Sequence, residues 1–218
     1  MWVKICANTN LADALRAAEL GADAVGFVFA PSKRQMTPEQ VRRIADALPA
    51  DVERVGVFGA GPADEIARAA RLAGLTAVQL HTEFDAAKTE RLEELLPEVS
   101  IIQAAHWVVG GEGADGVARQ LESIAREAPG RVLVDAKVGG ASGGLGVRFD
   151  WTEAAGVLGY PRGLWVVLAG GLGPENVAEA IRTVRPWGVD VASGVESEPG
   201  RKDWVKMKAF IENARGAV

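Results

Sequence analysis

The hydrophobic period of this chain switches back and forth eight times, and few folds accommodate that. Short runs rich in Val, Ile and Leu recur at WVKIC (2–6), DAVGFVF (23–29), ERVGVFG (53–59), TAVQLH (76–81), VSIIQAA (99–105), RVLVDA (131–136), LWVVLAG (164–170) and WGVDVAS (187–193). Between them lie longer stretches with helical spacing, among them NLADALRAAELGA (10–22), TPEQVRRIADAL (37–48), ADEIARAARLAG (63–74), GVARQLESIAREA (116–128) and PENVAEAIRTV (174–184). A period near two marks strands and one near 3.6 marks helices, so β and α elements alternate. Helix punctuation agrees: Asn10 and Thr37 stand as N-caps, Pro38 and Pro174 at first helical positions, and Gly21 and Gly74 just past helix ends.

Alternation of this kind implies a parallel sheet covered by helices, and eight units predict closure into an α/β fold of the (β/α)8 TIM-barrel type. An open doubly wound sheet is the competing architecture. No Pro/Gly/Ser linker or change of composition divides the units, so residues 1–218 read as a single domain. The glycine-rich GGASGGLG (139–146) follows the sixth strand run without opening a helix, which makes it a weak dinucleotide fingerprint.

With 48% apolar residues the chain can bury a large core unaided, and Cys6 is its only cysteine. One cysteine excludes an intrachain disulfide and a Cys-based zinc site, which points to a reducing, cytoplasmic compartment. A lone cysteine is more often a small buried hydrophobe than a reagent. No run approaches the roughly 18 apolar residues of a membrane span, and the net charge of −5 comes with scattered basic residues. Neither a membrane nor a nucleic acid is an expected partner.

Active sites in such barrels form at the C-terminal ends of the strands. Reading each strand to its end collects Cys6, Arg34 in the loop PSKRQ, His81, Asp135 and Asp190. The last two strand-to-helix junctions, AGGLGPEN (169–176) and ASGVESEPG (192–200), supply Gly170, Gly171, Ser193 and Gly194. Backbone N–H groups there can wrap a phosphate, with a short helix expected at Ser193 or Gly194. Tight turns that need glycine are the alternative reading.

KIC (4–6), GADAVGFVF (21–29), SKR (32–34), AVQLH (77–81), LVDAK (133–137), FDW (149–151), AGGLGPENV (169–177), RPWGVDVASGVE (185–196) and PGRKD (199–203) occur in that order over essentially the whole chain. Together they resemble the successive motifs of the phosphoribosylanthranilate isomerase family. The resemblance implies an intramolecular oxidoreductase of the aldose–ketose isomerase type, working in L-tryptophan biosynthesis. Its reaction is an Amadori rearrangement of N-(5-phosphoribosyl)anthranilate to 1-(2-carboxyphenylamino)-1-deoxyribulose 5-phosphate, without cofactor or metal. It further implies Asp135 as general acid, Cys6 as general base, Arg34 as the carboxylate-binding residue, and His81 and Asp190 as substrate-binding residues. The phosphate falls to Gly170, Gly171, Ser193 and Gly194. Monomer and homodimer are both compatible with the sequence. Competing functions are another sugar-phosphate isomerase or epimerase, and a barrel that binds a phosphorylated metabolite without turning it over.

Those roles make opposite demands: Asp135 needs a raised pKa to hold its proton at neutrality, and Cys6 needs a lowered one. Strand parity puts Lys4 one layer below Cys6, where barrel closure brings it against the last strand. Lys4 is therefore expected to be buried and paired with Asp190. His106, in AAHW, is expected at the rim, and the six tryptophans mostly in the core or at the rim, with Trp151 packed. The chain departs from the family pattern at Ala7 and Thr82, which replace glycines, at Ala192, which replaces the first of two serines, and before FDW, where either Leu145 in GGLG (143–146) replaces a hydroxyl residue or an enlarged loop begins at Gly139. A positive φ at position 7 would strain alanine.

Overall fold

The computed structural model describes residues 1–138, 141–142, 150–158 and 163–218. In chain order the strands are β1 (Trp2–Ile5), β2 (Ala24–Val28), β3 (Glu53–Phe58), β4 (Ala77–Leu80), β5 (Ser100–Val108), β6 (Arg131–Val138), β7 (Ala141–Ser142), β8 (Trp165–Leu168) and β9 (Gly188–Val191). All but β7 run parallel as neighbours, and β5 pairs with β6 while β1 pairs with β9, so the eight-strand sheet closes on itself. The predicted (β/α)8 barrel is what forms, not an open sheet. β7 is a two-residue antiparallel extension on β6. Except for Ala141 and Ser142, the GGASGGLG stretch, with Leu145, lies outside the described residues.

Among the described residues eight α-helices cover the barrel: α1 (Leu11–Glu19), α2 (Pro38–Ala45), α3 (Ala63–Ala73), α4 (Ala86–Leu95), α5 (Gly113–Glu127), α6 (Trp151–Leu158), α7 (Val177–Val184) and α8 (Trp204–Arg215). Their starts are chemically specified. Asn10 accepts a hydrogen bond from the Asp13 N–H, and Thr37 forms a reciprocal capping box with Gln40 ahead of Pro38. Gly21 and Gly74 take positive φ at helix ends as expected. Pro174 does not open its helix: the chain makes a turn over residues 174–176, and α7 begins at Val177.

Alternation along the strands builds two cores. Outward residues such as Val3, Ile5, Val25, Phe27 and Val132 meet the helices. Inward residues Ala24, Val55, Ala77, Ile102, Leu133 and Val167 fill the barrel. Above that apolar layer the interior turns polar, with Lys4, Gln79 and Asp190, and at the C-terminal mouth it carries Cys6, His81, His106 and Asp135. Trp107 and Trp151 pack in the core as expected, whereas Trp165, Trp187 and Trp204 are exposed. Trp187 stacks between Trp2 and Trp165 at the opposite, N-terminal end of the strands. Among the described residues no helix is long and apolar enough to cross a membrane.

Candidate active site

All nine residues expected at the site line one cavity of about 290 Å³ at the C-terminal mouth: Cys6, Arg34, His81, Asp135, Gly170, Gly171, Asp190, Ser193 and Gly194. Asp135 and Asp190 lie on β6 and β9, Cys6 and His81 directly follow β1 and β4, and the rest come from the loops after β2, β8 and β9, so the barrel, not local sequence, assembles them. The volume lies at the lower edge of the range for small-molecule sites.

Cys6 follows β1 directly, and its N–H donates to the Val191 carbonyl at 2.8 Å. The next residue, Ala7, does adopt a left-handed backbone, with φ 61°. Asn8 holds the turn: its N–H donates to Gly26 O at 2.9 Å and its side-chain Nδ2 to Ile5 O at 2.7 Å. Gly26 on β2 leaves room for the thiol, since a Cβ there would sit 2.7 Å from Cys6 Sγ.

Beneath Cys6, Lys4 is fully buried, with Nζ 3.0 Å from Asp190 Oδ1 and 2.9 Å from Gln79 Oε1. Register makes this possible, because Lys4 and Asp190 are direct partners across β1 and β9. Burial alone would lower the Lys4 pKa, but Asp190 and Cys6 more than offset it, and the ammonium is retained. The Cys6 thiol is shifted opposite to expectation. Burial pushes it up, Lys4 and Lys202 pull it down, and Asp190 adds to the upward push. Lys4 lies where parity put it, yet its charge is largely committed to Asp190.

The Asp135 carboxyl is shifted in the expected direction. Burial raises its pKa to about 7, with Asp190 contributing in the same sense and the Ala136 N–H and Lys4 opposing. Beside it, His81 Nε2 lies 3.6 Å from Asp135 Oδ2, and His81 Nδ1 lies 3.3 Å from Gln79 Nε2. His106, expected at the rim, is buried instead, because β5 continues two residues past it to Val108. Its ring meets His81 edge to face with centroids 5.1 Å apart.

At one end of the cavity, Gly170 and Gly171 both take positive φ, and a Cβ on Gly170 would lie 2.8 Å from the Ala136 backbone nitrogen. Buried Asn176 ties this loop down, accepting from Gly173 N–H at 2.9 Å and donating to Gly171 O at 3.0 Å. Ser193–Val195 form the expected short helix, a single 3₁₀ turn. A Cβ at Gly194 would collide with the Leu172 carbonyl, so glycine lets the two loops touch. Behind them the buried Lys202 Nζ donates to Ala192 O at 3.1 Å.

Arg34 lines the same cavity from the loop after β2. Its Nε and Nη2 face the Glu196 carboxylate at 2.9 and 2.6 Å. Glu196 itself lies in a short ribbon, β10 (Glu196–Glu198) with β11 (Arg201–Lys202), and also meets Lys202 Nζ at 3.3 Å. Burial would raise its pKa, but Arg34, Lys202 and the Gly200 N–H hold it below the usual carboxylate range. Burial holds Lys202 below the usual lysine range in turn.

Gln79, Glu196, Lys202, Gly26 and Asn176 were not singled out from the sequence. A glutamine in the middle of the otherwise apolar strand run AVQLH was the one legible signal among them.

The fold and this mouth define a (β/α)8-barrel enzyme, with a carboxyl of raised pKa and a thiol lining one cavity. A family model described as N-(5′-phosphoribosyl)anthranilate isomerase matches residues 3–213. The chain is 46% identical over 216 residues to the N-(5′-phosphoribosyl)anthranilate isomerase of Thermotoga maritima, covering 98% of each, and 42% identical to that of Symbiobacterium thermophilum, covering 100% of each. Among solved structures it is similar to the Thermotoga maritima phosphoribosyl anthranilate isomerase, with TM-score 0.86 and 42% identity over 99% of both chains. Another phosphoribosyl anthranilate isomerase structure, with TM-score 0.83 and 41% identity over 99% of both chains, is a complex with reduced 1-(o-carboxyphenylamino)-1-deoxyribulose 5-phosphate. The chain belongs to the N-(5′-phosphoribosyl)anthranilate isomerase family.

Proposed function

We propose that the protein isomerises N-(5-phosphoribosyl)anthranilate to 1-(2-carboxyphenylamino)-1-deoxyribulose 5-phosphate in L-tryptophan biosynthesis, with Asp135 as general acid and Cys6 as general base. The observation that carries the reading is a buried carboxyl with a pKa of about 7 sharing one cavity with the only thiol of the chain. The product analogue held by the 41%-identical relative supports the substrate class.

Asp135 protonates the ribose ring oxygen, the C1′–O bond breaks and an iminium forms. A base then removes the C2′ proton, the C2′–H pair becomes the C1′=C2′ double bond, the C=N pair returns to the nitrogen, and the resulting enolamine ketonises. The rearrangement is redox-neutral within the substrate and needs no cofactor. Cys6 rests as the thiol, because burial holds its pKa above the ordinary thiol value. A cation formed beside it shifts the balance toward thiolate, so the base is generated by the first half of the reaction. The phosphate sits among the N–H groups of Gly170, Gly171, Ser193 and Gly194, and Arg34 takes the anthranilate carboxylate on the Nη1 side that Glu196 leaves open. Asp190 keeps Oδ1 on Lys4 and offers Oδ2 to a ribose hydroxyl, while His81 borders the reacting sugar.

Residues 1–218 act as one domain in the cytoplasm, where the thiol stays reduced. A homodimer is one assembly to consider, since the Thermotoga maritima relative, 40% identical in a structure of its engineered monomers, is dimeric.

The test is a fluorescence assay with the substrate generated in situ, run on wild type, Cys6→Ser and Asp135→Asn. Loss of about 10²–10⁴-fold or more in kcat is expected for each variant. Unchanged turnover in both would refute the mechanism, and binding without turnover in wild type would make the barrel a binding protein.

A further inference from the structure

We infer that Gln79 is a positioning residue that locks His81 in its Nε2–H tautomer, so that a proton donor faces Asp135. The tautomer follows from hydrogen bonding alone; its meaning for catalysis rests on the acid role proposed for Asp135.

The argument starts at Lys4. An ammonium has three donors and no acceptor, so the Gln79 atom 2.9 Å from Lys4 Nζ must be the amide oxygen. That assignment fixes the other end of the same amide, and the NH₂ group points at His81 Nδ1, 3.3 Å away. A donor there requires an unprotonated Nδ1, and neutral imidazole then carries its proton on Nε2. Nε2 is the nitrogen 3.6 Å from Asp135 Oδ2.

The alternatives are each penalised by burial. Gln79 is 2% exposed and Lys4 is 0% exposed, so water does not stand in for a lost partner. A proton on Nδ1 would set N–H against N–H, and flipping the amide to accept it would aim NH₂ at the Lys4 ammonium. Lys4 is held in turn by Asp190 at 3.0 Å, so the chain of hydrogen bonds is anchored at its far end by an ion pair.

The consequence concerns where the Asp135 proton can go. With its lone pair turned toward Gln79, His81 offers Asp135 no acceptor, and the acid keeps its proton for the substrate. Once that proton has left, the Nε2–H faces the new carboxylate and favours it. His81 would thus assist Asp135 without ever taking a proton itself.

The chain has two histidines, which makes the tautomer directly measurable. Long-range ¹H–¹⁵N spectra of protein labelled at histidine, with His81 assigned by the signals missing from His81→Asn, should show Nδ1 unprotonated and Nε2 protonated. Gln79→Glu keeps an oxygen for Lys4 but replaces the NH₂ with an acceptor, so His81 should switch to the Nδ1–H form and kcat should fall while KM holds. Gln79→Leu should give a mixture of tautomers. An Nδ1–H form in the wild type, or an Nε2–H form unchanged in Gln79→Glu, would overturn the inference. The wild-type spectrum needs no variant to fold. Because it does not depend on turnover, it also separates failure of the tautomer lock from failure of the acid assignment, which Asp135→Asn tests.

Discussion

Arg34 and Glu196 meet side-on, 162 residues apart in sequence, with the guanidinium Nε and Nη2 on one carboxylate and Nη2 at 2.6 Å. The contact occupies one edge of the fork and orients its plane, which leaves Nη1 for an incoming carboxylate. In the proposed carboxylate-binding role, Arg34 is therefore oriented before substrate arrives. That reduces the side-chain entropy lost on binding.

Glu196→Gln should loosen this orientation, because a charge-assisted pair becomes a weaker one. KM should rise several-fold with kcat little changed, and Arg34→Ala should raise KM further, by about 10–100-fold for a lost charged hydrogen bond of about 1.5–3 kcal/mol. Steady-state kinetics decide it. A fall confined to kcat would show that Arg34 acts only in the transition state.

Lys4→Met should destabilise the protein by about 3–5 kcal/mol, the range for breaking a buried ion pair from one side. The folded-state pKa of Lys4 is raised, so the pair's contribution is complete below the ordinary lysine pKa and is lost only as pH climbs through the raised value. Denaturant unfolding at neutral pH should accordingly show the full loss. Lys4→Met with Asp190→Asn should recover part of it, and no recovery would mean that the barrel layer fails by packing instead.

Asp135 links activity and stability to pH in one direction. Its folded-state pKa of about 7 lies above the unfolded value of about 3.9, so the unfolded chain loses this proton first and stability falls between those values as pH rises. About three units correspond to up to about 4 kcal/mol, an order-of-magnitude upper figure. Asp135→Asn should thus be more stable than wild type above pH 7, with the gap closing toward pH 4, while wild-type kcat/KM should decline on the alkaline side of about 7. Thermal unfolding across that range checks the first expectation; a variant no more stable at pH 8 would contradict the burial argument.

Gly26→Ala would place a methyl 2.7 Å from Cys6 Sγ and 3.0 Å from Lys4 Cε. Overpacking of this kind costs about 1–3 kcal/mol, and the thiol is the group with room to move, toward the cavity. A drop in kcat larger than the rise in KM is expected, and alkylation of Cys6 should quicken as it becomes more accessible. Wild-type kinetics in both assays would mean that β2 shifts instead.

Much of this architecture was legible because its signals are local or periodic. Asn10 and Thr37 cap through residues three positions away, and the strand runs survive as strands because both faces of each are buried. Lys4–Asp190 was legible too, since parity and barrel closure together determine who faces whom. Helix α4 gave little signal, as only Thr89 and Leu92 of its ten residues are buried. His106 was misplaced because its burial depends on how far β5 continues. The Glu196 and Gln79 contacts span 162 and 75 residues, and no spacing rule reaches that far. The Cys6 shift was opposite to expectation because a mechanism states what a thiol must become, whereas burial decides what it is at rest.

Ala7 separates strain from function at the same turn. A left-handed alanine costs about 1–2 kcal/mol relative to an ordinary backbone, which argues that Ala7→Gly should stabilise. Two terms oppose it: the Ala7 methyl is 1% exposed and its loss forfeits about 0.8 kcal/mol, and glycine adds about 0.4–1 kcal/mol of unfolded-state freedom. The sum is close to zero, so the unfolding free energy should change by less than about 1 kcal/mol. The turn itself should persist in both proteins, because Asn8 anchors it to Ile5 and Gly26 through its own hydrogen bonds. Chemical denaturation resolves a shift of that size, and a gain above about 2 kcal/mol would show that alanine strains the loop carrying Cys6 more than its neighbours compensate.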